Sequence, residues 1–123
     1  MMPNSSRWID FLEDILARSN YLIVRFQNVS YDEFLEDETL RLASERSIEI
    51  IGEAVKNLPD EIFAAYPEVS WREIARMRDR LIHRYFAIDY TIVWDVIQIH
   101  IPLLKSKVEF ILNNRDTENK ETK

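Results

Sequence analysis

The stretch Ser70–Tyr85, SWREIARMRDRLIHRY, predicts the helix around which the rest of the chain is organised. Ser70 and Glu73 have the spacing of a capping box, in which a serine hydroxyl and a glutamate carboxylate satisfy backbone groups at the start of a helix. The stretch holds one of the two histidines and, although the formal net charge of the chain is -6, five arginines: Arg72, Arg76, Arg78, Arg80 and Arg84. Such local positive charge in an acidic protein indicates a functional surface rather than ordinary surface decoration.

At about 100 degrees per residue, the predicted helix has an apolar stripe and a basic face. The apolar stripe consists of Ile74, Met77, Leu81 and Tyr85. The other side carries Arg72, Arg76, Arg80 and His83. Arg78 interrupts the apolar stripe, so its guanidinium must be paired or must face a cleft. Because Arg78 and His83 lie about 140 degrees apart on an ideal helix, we expect them to meet only if the helix distorts or ends near His83, or if the site is completed from elsewhere.

The composition favours a single all-helical domain. A chain of 123 residues is long enough for one ordinary hydrophobic core, and one glycine with four prolines leaves few tight turns. The absence of cysteine excludes disulfides, cysteine metal sites and thiol nucleophiles. We predict one domain over residues 1–113 and a polar, flexible tail over residues 114–123.

The sequence also bears on location and on nucleic-acid binding. No apolar run approaches the roughly 20 residues of a membrane span, and the N-terminal MMPNSSRW lacks the basic-then-apolar pattern of a signal peptide. We therefore predict a cytoplasmic protein with no membrane partner. The negative net charge disfavours nonspecific binding of nucleic acid over the whole surface, so such binding would depend on the local positive charge of residues 72–84.

Hydrophobic periodicity predicts three long helices in addition to the arginine-rich one, over residues 5–26, 37–58 and 90–113. Pro59 should end the second of these helices, and Pro102 should kink the third. Short connecting helices are predicted on either side of the second long helix. The first of them should begin with a capping box formed by Ser30 and Glu33.

The second long helix carries two unusual features. Gly52, the only glycine of the chain, lies in mid-helix, where it costs about 1 kcal/mol relative to alanine, and the close approach of another helix would explain it. Glu45, Glu49 and Glu53 form an i, i+4, i+8 row without the Glu-x-x-His pairs of a di-iron site, so most of the row is predicted to be a solvated face. Glu49 or Glu53 is nevertheless a candidate partner for Arg78.

The segment Arg78–Tyr85 reads R-x4-H-x-Y with a polar residue after the arginine, and it resembles the signature motif of the HEPN superfamily, specifically of HepT ribonuclease toxins. Further landmarks similar to HepT follow in the same order over roughly residues 8–112: Ile48–Ala54, Leu58-Pro59, Tyr66-Pro67, Trp71–Ile74, Tyr85-Phe86 and Ile92–Trp94. The motif alone would be a weak signal, because arginine, histidine and tyrosine are common residues. The ordered set of landmarks makes the resemblance specific.

The resemblance implies an all-α, HEPN-like antiparallel helical bundle that forms a homodimer, with the two motifs facing a shared cleft. It also implies an RNA substrate and, as partner, an MNT-type nucleotidyltransferase antitoxin that silences the toxin by transferring AMP to a tyrosine at the motif. Some members carry that tyrosine two residues after the motif arginine, where this chain has Arg80. Tyr85 is therefore the candidate AMP acceptor.

Cleavage of RNA requires neither a metal nor a cofactor, because the ribose 2'-hydroxyl is an internal nucleophile. The chain has no cysteine, no histidine pair at ligand spacing and no glycine-rich phosphate loop, so we predict no metal site and no cofactor. An imidazole that titrates near neutrality can serve as the base or the acid. A guanidinium can stabilise the charge that builds on the phosphate.

From this chemistry and the resemblance, we assign His83 to general acid/base catalysis, Arg78 to the scissile phosphate and Asp79 to the orientation of one of these two. Tyr85 is expected to position RNA or to pack beside the site. The neighbouring arginines are expected to support RNA binding: Arg76, Arg80 and Arg84.

Two other interpretations compete with an RNA endonuclease. The chain could be a catalytically idle helical partner that binds and regulates a nucleotidyltransferase, or a purely structural dimerisation bundle. His83 would then be an exposed helix-end histidine, and Tyr85 a core aromatic residue; the other histidine, His100, is assigned to packing or to the surface. The intact Arg78, Asp79 and His83 favour the endonuclease, since a scaffold has no reason to bury a guanidinium in its apolar stripe.

Overall fold

The computed structural model describes the backbone of residues 7–82 and 88–121 and the side chains of residues 7–81 and 88–114. Over these ranges the chain forms helices and no strand, which confirms the all-α class. No helix in this part of the chain is long and apolar enough to cross a membrane. The elements, in chain order, are α1 (Arg7–Arg25), α2 (Tyr31–Glu36), α3 (Glu38–Lys56), α4 (Asp60–Ala65), α5 (Trp71–Ile82), α6 (Tyr90–Asp95), a π-helical turn (Val96–His100) and α7 (Ile101–Glu121).

α3 is the central helix of the bundle. It packs against both α1 and α5, and α1 packs in turn against α7. Ile51 and Val55 of α3 and Leu12 and Ile15 of α1 are almost completely shielded from solvent. Each side chain of this size contributes about 1.5–3 kcal/mol when it is fully buried. The amphipathic stripes predicted for the first two long helices therefore form the core that positions α5.

Two helix starts in the first half of the chain depend on local hydrogen bonds. Ser30 Oγ accepts a hydrogen bond from the Glu33 N–H at 3.1 Å, and the Glu33 carboxylate accepts one from the Ser30 N–H at 3.3 Å, which confirms the capping box before α2. Asp37 Oδ1 accepts a hydrogen bond from the Leu40 N–H at 3.1 Å at the start of α3. Pro59 lies between α3, which ends at Lys56, and α4, which begins at Asp60, so the predicted break between the two helices is also confirmed.

α5 begins at Trp71, next to the predicted cap, but the cap itself is not formed. Within the described part of the chain, the side chains of Ser70 and Glu73 make no capping hydrogen bond. The Trp71 N–H donates to the Val69 carbonyl at 2.9 Å, and the Ile74 N–H donates to the Ser70 carbonyl at 3.2 Å. Because Val69 and Trp71 are both buried, the packing of these side chains defines the first turn.

The glutamate row of α3 is not a uniformly solvated face. Glu45 is buried, with 5% of its surface exposed, and it accepts a hydrogen bond from the Tyr90 hydroxyl at 2.7 Å. Burial and this hydrogen bond raise the pKa of Tyr90, so the phenol remains a donor at neutral pH. Glu49 is half-buried and Glu53 is exposed. The prediction is wrong for Glu45 because the first residue of α6 covers this part of α3.

An aromatic cluster holds α2 and α6 together at the end of α1. The Phe34 ring centroid lies 5.5 Å from that of Phe26, 5.8 Å from that of Tyr90 and 5.5 Å from that of Trp94. Aromatic pairs at such distances contribute about 0.5–1.5 kcal/mol beyond their buried area. The cluster therefore anchors the chain just after residues 83–87.

A π-helical turn divides the last long helix, where a kinked continuous helix was predicted. The Ile101 N–H donates to the carbonyl of Val96, five residues back, instead of four as in an α-helix. The wide turn lies directly before Pro102, whose nitrogen has no hydrogen to donate. α7 then continues to Glu121, beyond the predicted end at Asn113. The flexibility of the tail over residues 114–123 stays a prediction.

Candidate active site

α5 lies directly against α3 at Gly52. A β-carbon built on Gly52 would lie 2.7 Å from Arg78 Cγ and would collide with Arg78 Cβ. Because protein interiors are close-packed, any side chain at this position would separate the two helices or displace the arginine. The predicted close approach is confirmed, and the residue that approaches Gly52 is the arginine of the R-x4-H-x-Y motif.

Arg78 is paired, which is one of the two arrangements predicted from its position in the apolar stripe; the other was to face a cleft. Its side chain is 19% exposed, and Nη2 donates to Glu53 Oε2 at 2.6 Å. Nη1 donates to Asp79 Oδ1 at 3.0 Å. Of the two glutamates proposed from sequence, Glu53 forms the ion pair. Arg78 Nε is buried without a hydrogen-bond partner among the described residues, so the guanidinium is held through its two terminal nitrogens.

Asp79 connects Arg78 to a second cation, Lys56, which the sequence had not indicated. Lys56 Nζ donates to Asp79 Oδ1 at 2.9 Å, and this is the same oxygen that accepts from Arg78. The hydrogen bonds from Lys56 and Arg78 lower the pKa of Asp79 below its ordinary value, so its carboxylate is ionised at neutral pH. Lys56 lies one helical turn after Gly52, and this spacing is the one sequence signal that could have identified it.

A cavity of about 260 Å³ lies beside Arg78, between α1, α3 and α5. Its polar lining includes Asp14, Glu49 and Glu53 as well as Arg46, which forms an ion pair with Glu49 at 3.5 Å. These carboxylates would repel a phosphate that approached Arg78 from this side. The Glu53 side chain is 55% exposed, however, so it can turn into solvent and release Nη2 to an anionic ligand.

Arg72, Arg76 and Arg80 form an exposed column on α5, on a different side from Arg78. None of the three makes an ion pair or a hydrogen bond with another described residue. An unpaired guanidinium keeps all its donors available to a ligand. α5 thus carries one arginine, Arg78, whose guanidinium is held by other side chains. Its three exposed arginines have no ion-pair or hydrogen-bond partner among the described residues.

Three of the predicted site residues, His83, Arg84 and Tyr85, lie outside the described residues. The structure brings Arg78 and Asp79 into direct contact and leaves Arg76 and Arg80 on the exposed face. His100 is exposed. Among the residues whose side chains are described, no group of three or more His, Cys, Asp or Glu residues is placed to hold a metal ion.

The likeness of the chain to known proteins extends over most of its length. A family model described as ribonuclease HepT-like matches residues 9–111. A protein of Caldanaerobacter subterraneus subsp. tengcongensis, named as a putative RNase, is 48% identical over 83% of this chain and 91% of its own length. A protein of Thermococcus cleftensis, named as a probable ribonuclease HepT, is 46% identical over 81% of this chain and 91% of its own length. No solved structure matches the chain. The chain belongs to the HepT-like ribonuclease family.

Proposed function

We propose that this protein is a metal-independent RNA endonuclease that acts through Arg78 and His83. The observation that carries the proposal is the fixation of Arg78, which packs on Gly52 and is held by Glu53 and Asp79. A guanidinium whose position is set before the substrate arrives loses little further freedom when charge builds on a phosphate. Membership of the HepT-like ribonuclease family supports RNA as the substrate.

The reaction uses the ribose 2'-hydroxyl as the nucleophile. A base removes its proton, the 2'-oxygen attacks the adjacent phosphorus, and the 5'-oxygen of the next nucleotide leaves after protonation. The products are a 2',3'-cyclic phosphate and a 5'-hydroxyl. His83 is the proposed proton carrier, because imidazole titrates near neutrality. Since the nucleophile belongs to the substrate, no metal-activated water is required.

Arg78 is the proposed ligand of the scissile phosphate, and Asp79 is the proposed positioning residue for Arg78. Guanidinium and phosphate form paired hydrogen bonds of matched geometry. Asp79 holds Nη1, and the exposed Glu53 occupies Nη2. A phosphate that displaces Glu53 would gain Nη2 while Asp79 continues to orient the guanidinium. Asp79 is thus proposed to act through Arg78 and not on RNA directly.

The remaining arginines of the motif region are proposed to hold the RNA strand: Arg76, Arg80 and Arg84. Arg76 and Arg80 are exposed and make no ion pair within the described part of the chain. Contacts of this kind attract RNA without reading its sequence, and salt weakens them.

The biological setting follows from the sequence resemblance. We infer a cytoplasmic toxin of a HEPN/MNT toxin–antitoxin module. The toxin acts as a homodimer, and its nucleotidyltransferase partner adds AMP to Tyr85.

Incubation with the cognate nucleotidyltransferase and ATP should add the mass of AMP to the peptide that contains Tyr85. Labelling that persists in Tyr85→Phe would move the acceptor elsewhere, and sedimentation of only a 14.8 kDa species at micromolar concentration would contradict the dimer.

The catalytic proposal is tested by comparing the wild-type protein with His83→Ala on single-stranded RNA. We expect His83→Ala to lower the cleavage rate by at least about 10²-fold, the lower end for a general acid or base. EDTA should not inhibit the wild-type protein, and its products should end in a cyclic phosphate. Circular dichroism serves as the folding control. Full cleavage by folded His83→Ala would instead support the idle partner that binds a nucleotidyltransferase.

A further inference from the structure

A second surface of α5 adjoins the candidate active site but does not include Arg78. It is a groove of about 750 Å³ between the end of α3, α4 and the first two turns of α5. We call it the α4–α5 groove. Its lining combines cations, two carboxylates and an apolar wall, including Lys56, Asp60, Phe63, Arg72, Glu73 and Arg76.

Two of the three cations that line the α4–α5 groove are unpaired within the described part of the chain, although Asp60 and Glu73 also line it. Arg72 and Arg76 are exposed and have no ion-pair or hydrogen-bond partner among the described residues. The full sequence has 22 acidic residues against 16 lysines and arginines, so carboxylate partners are abundant in this chain. Two neighbouring arginines that lack such partners create a local positive potential, which attracts an anionic ligand.

The wall of the groove is apolar and firmly supported. The ring centroid of Phe63 lies 5.8 Å from that of the buried Trp71. The Trp71 indole N–H donates to the Tyr66 carbonyl at 3.0 Å, which fixes the indole against which Phe63 rests. Phe63 is only half-buried, so part of its ring is available to the groove. A cationic track beside a partly exposed aromatic ring is an arrangement that binds single-stranded nucleic acid.

Lys56 links the groove to the candidate active site. It lines the groove and donates to Asp79, which in turn accepts from Arg78. Arg72 and Arg76 are four residues apart on α5, so their Cα atoms are about 6 Å apart along the helix axis. A strand that follows this face of α5 from its first turn therefore runs towards the end of the helix that bears the R-x4-H-x-Y motif.

From these contacts we propose that the α4–α5 groove binds nucleotides of single-stranded RNA that flank the cleaved bond. Arg72 and Arg76 contact successive phosphates, and Phe63 contacts an unstacked base. The inference rests on the proposed ribonuclease function, and it adds a binding subsite with two residues that the proposed function does not use, Arg72 and Phe63. A paired strand could not present an unstacked base to Phe63, so the ligand is a single strand.

Arg72→Ala/Arg76→Ala tests the phosphate contacts, and Arg25→Ala/Lys107→Ala is its matched control. Each double variant removes two positive charges from exposed helical positions. Binding of a fluorescently labelled single-stranded RNA is measured by anisotropy at several salt concentrations, with His83→Ala as the common background so that the RNA stays intact. The dependence of log affinity on log salt should become shallower by about 1.4 in the groove variant, at about 0.7 per phosphate contact. It should not change in the control.

Phe63→Leu tests the base contact while keeping an apolar side chain against Trp71. We expect affinity for single-stranded RNA to fall about fivefold, the low end for loss of one stacked base. A blunt RNA duplex of the same sequence should bind more weakly and should be insensitive to Phe63→Leu. A duplex that binds as tightly as the single strand, with the same dependence on the groove, would contradict the single-strand assignment.

The outcomes separate this inference from the proposed function. Equal affinities and equal salt slopes for the groove variant and its control would overturn the proposed RNA binding by the α4–α5 groove, even if the wild-type protein cleaves RNA. If the groove variant loses RNA binding and the wild-type protein cleaves no RNA, RNA binding by the α4–α5 groove is supported and the proposed nuclease function is overturned. Circular dichroism of each variant excludes unfolding as the cause.

Discussion

Arg76 and Arg78 are two residues apart on the same helix, yet they lie in opposite environments. Arg78 packs on Gly52 and is held by Glu53 and Asp79, whereas Arg76 is exposed and has no partner among the described residues. The first arrangement fixes the position of a charge, and the second leaves a charge free to attract a mobile ligand. One arginine-rich stretch thus supports two different tasks, which the position of each arginine around the helix separates.

The two environments differ in how strongly dissolved salt weakens the contacts of each arginine. The contacts of Arg78 are shielded on the α3 side, so they are less sensitive to salt than those of a fully exposed charge. The column of Arg72, Arg76 and Arg80 faces water, where salt screens attraction over about 8–10 Å. We therefore expect Arg78 to affect the chemical step and the column to affect RNA affinity.

The largest effect should come from removing the fixed arginine. Arg78→Ala should lower RNA cleavage by at least about 10²-fold, because it removes the charge that stabilises the transition state. Arg78→Lys should restore little of this loss, since an ammonium cannot form the bidentate contact. Single-turnover cleavage of saturating RNA measures the chemical step, and Arg76→Ala is the matched control on the exposed face.

The fold should survive Arg78→Ala with little loss of stability. Its ion-pair partner Glu53 is 55% exposed, so the carboxylate left behind remains solvated, and the severe penalty for an uncompensated buried charge does not apply. Urea denaturation checks this expectation. A cleavage rate in Arg78→Ala as high as in Arg76→Ala would remove the distinction between the two environments.

A smaller effect on cleavage is expected from Gly52→Ala, which displaces Arg78 from the α3 side. The new methyl group would collide with Arg78 Cβ. Such overpacking costs typically about 1–3 kcal/mol, and the better helix propensity of alanine offsets about 1 kcal/mol of this. We expect a small loss of stability and a roughly tenfold loss of cleavage, because small misplacements of a catalytic group reduce the rate strongly.

A double variant shows whether Gly52 acts on cleavage through Arg78. In the Arg78→Ala background, Gly52→Ala should cause no additional loss of cleavage, because the guanidinium that it displaces is already absent. It should still destabilise the fold, since residue 78 retains its β-carbon. Additive losses of cleavage would mean that Gly52 affects the site by another route.

The smallest effect concerns the link between Lys56, Asp79 and Arg78. The pKa of Asp79 is lowered below its ordinary value of 3.8 by hydrogen bonds from Lys56 and Arg78. A carboxyl group whose pKa is depressed on folding stabilises the fold above its unfolded pKa, and this stability is lost as the pH falls through the folded pKa. Asp79→Asn should therefore lower the urea midpoint slightly at pH 7 and progressively less below about pH 4.

Asp95→Asn is the control for this measurement, because Asp95 is an exposed aspartate of α6 outside the Lys56–Asp79–Arg78 link. The difference between the two variants at each pH isolates the contribution of the link. A difference that stays constant from pH 7 to pH 3 would show that the ionised form of Asp79 does not stabilise the contact between α3 and α5.

Two capping-box patterns show how far local sequence signals extend. Ser30 and Glu33 form the predicted reciprocal hydrogen bonds before α2, whereas Ser70 and Glu73, at the same spacing, do not form them before α5. Buried Val69 and Trp71 flank Ser70, and their packing controls the backbone at that point. A local signal therefore predicts where both helices begin, and the core decides which groups bond there.

The sequence by itself determined the all-helical class, the approximate starts of the helices, the R-x4-H-x-Y pattern and the requirement that Arg78 be paired or face a cleft. These features depend on helical periodicity, on proline and on spacing along the chain, which are local properties. The sequence also indicated that another helix approaches Gly52, although it did not identify Arg78 as the contact.

The tertiary structure alone decided which charges meet. It selected Glu53 over Glu49 as the partner of Arg78, brought Lys56 to Asp79, and buried Glu45 under Tyr90. All these contacts join residues that are far apart in the chain. Their formation depends on how closely α3 approaches α5 and α6, and that distance is set by the packing of the whole core, which no local spacing encodes.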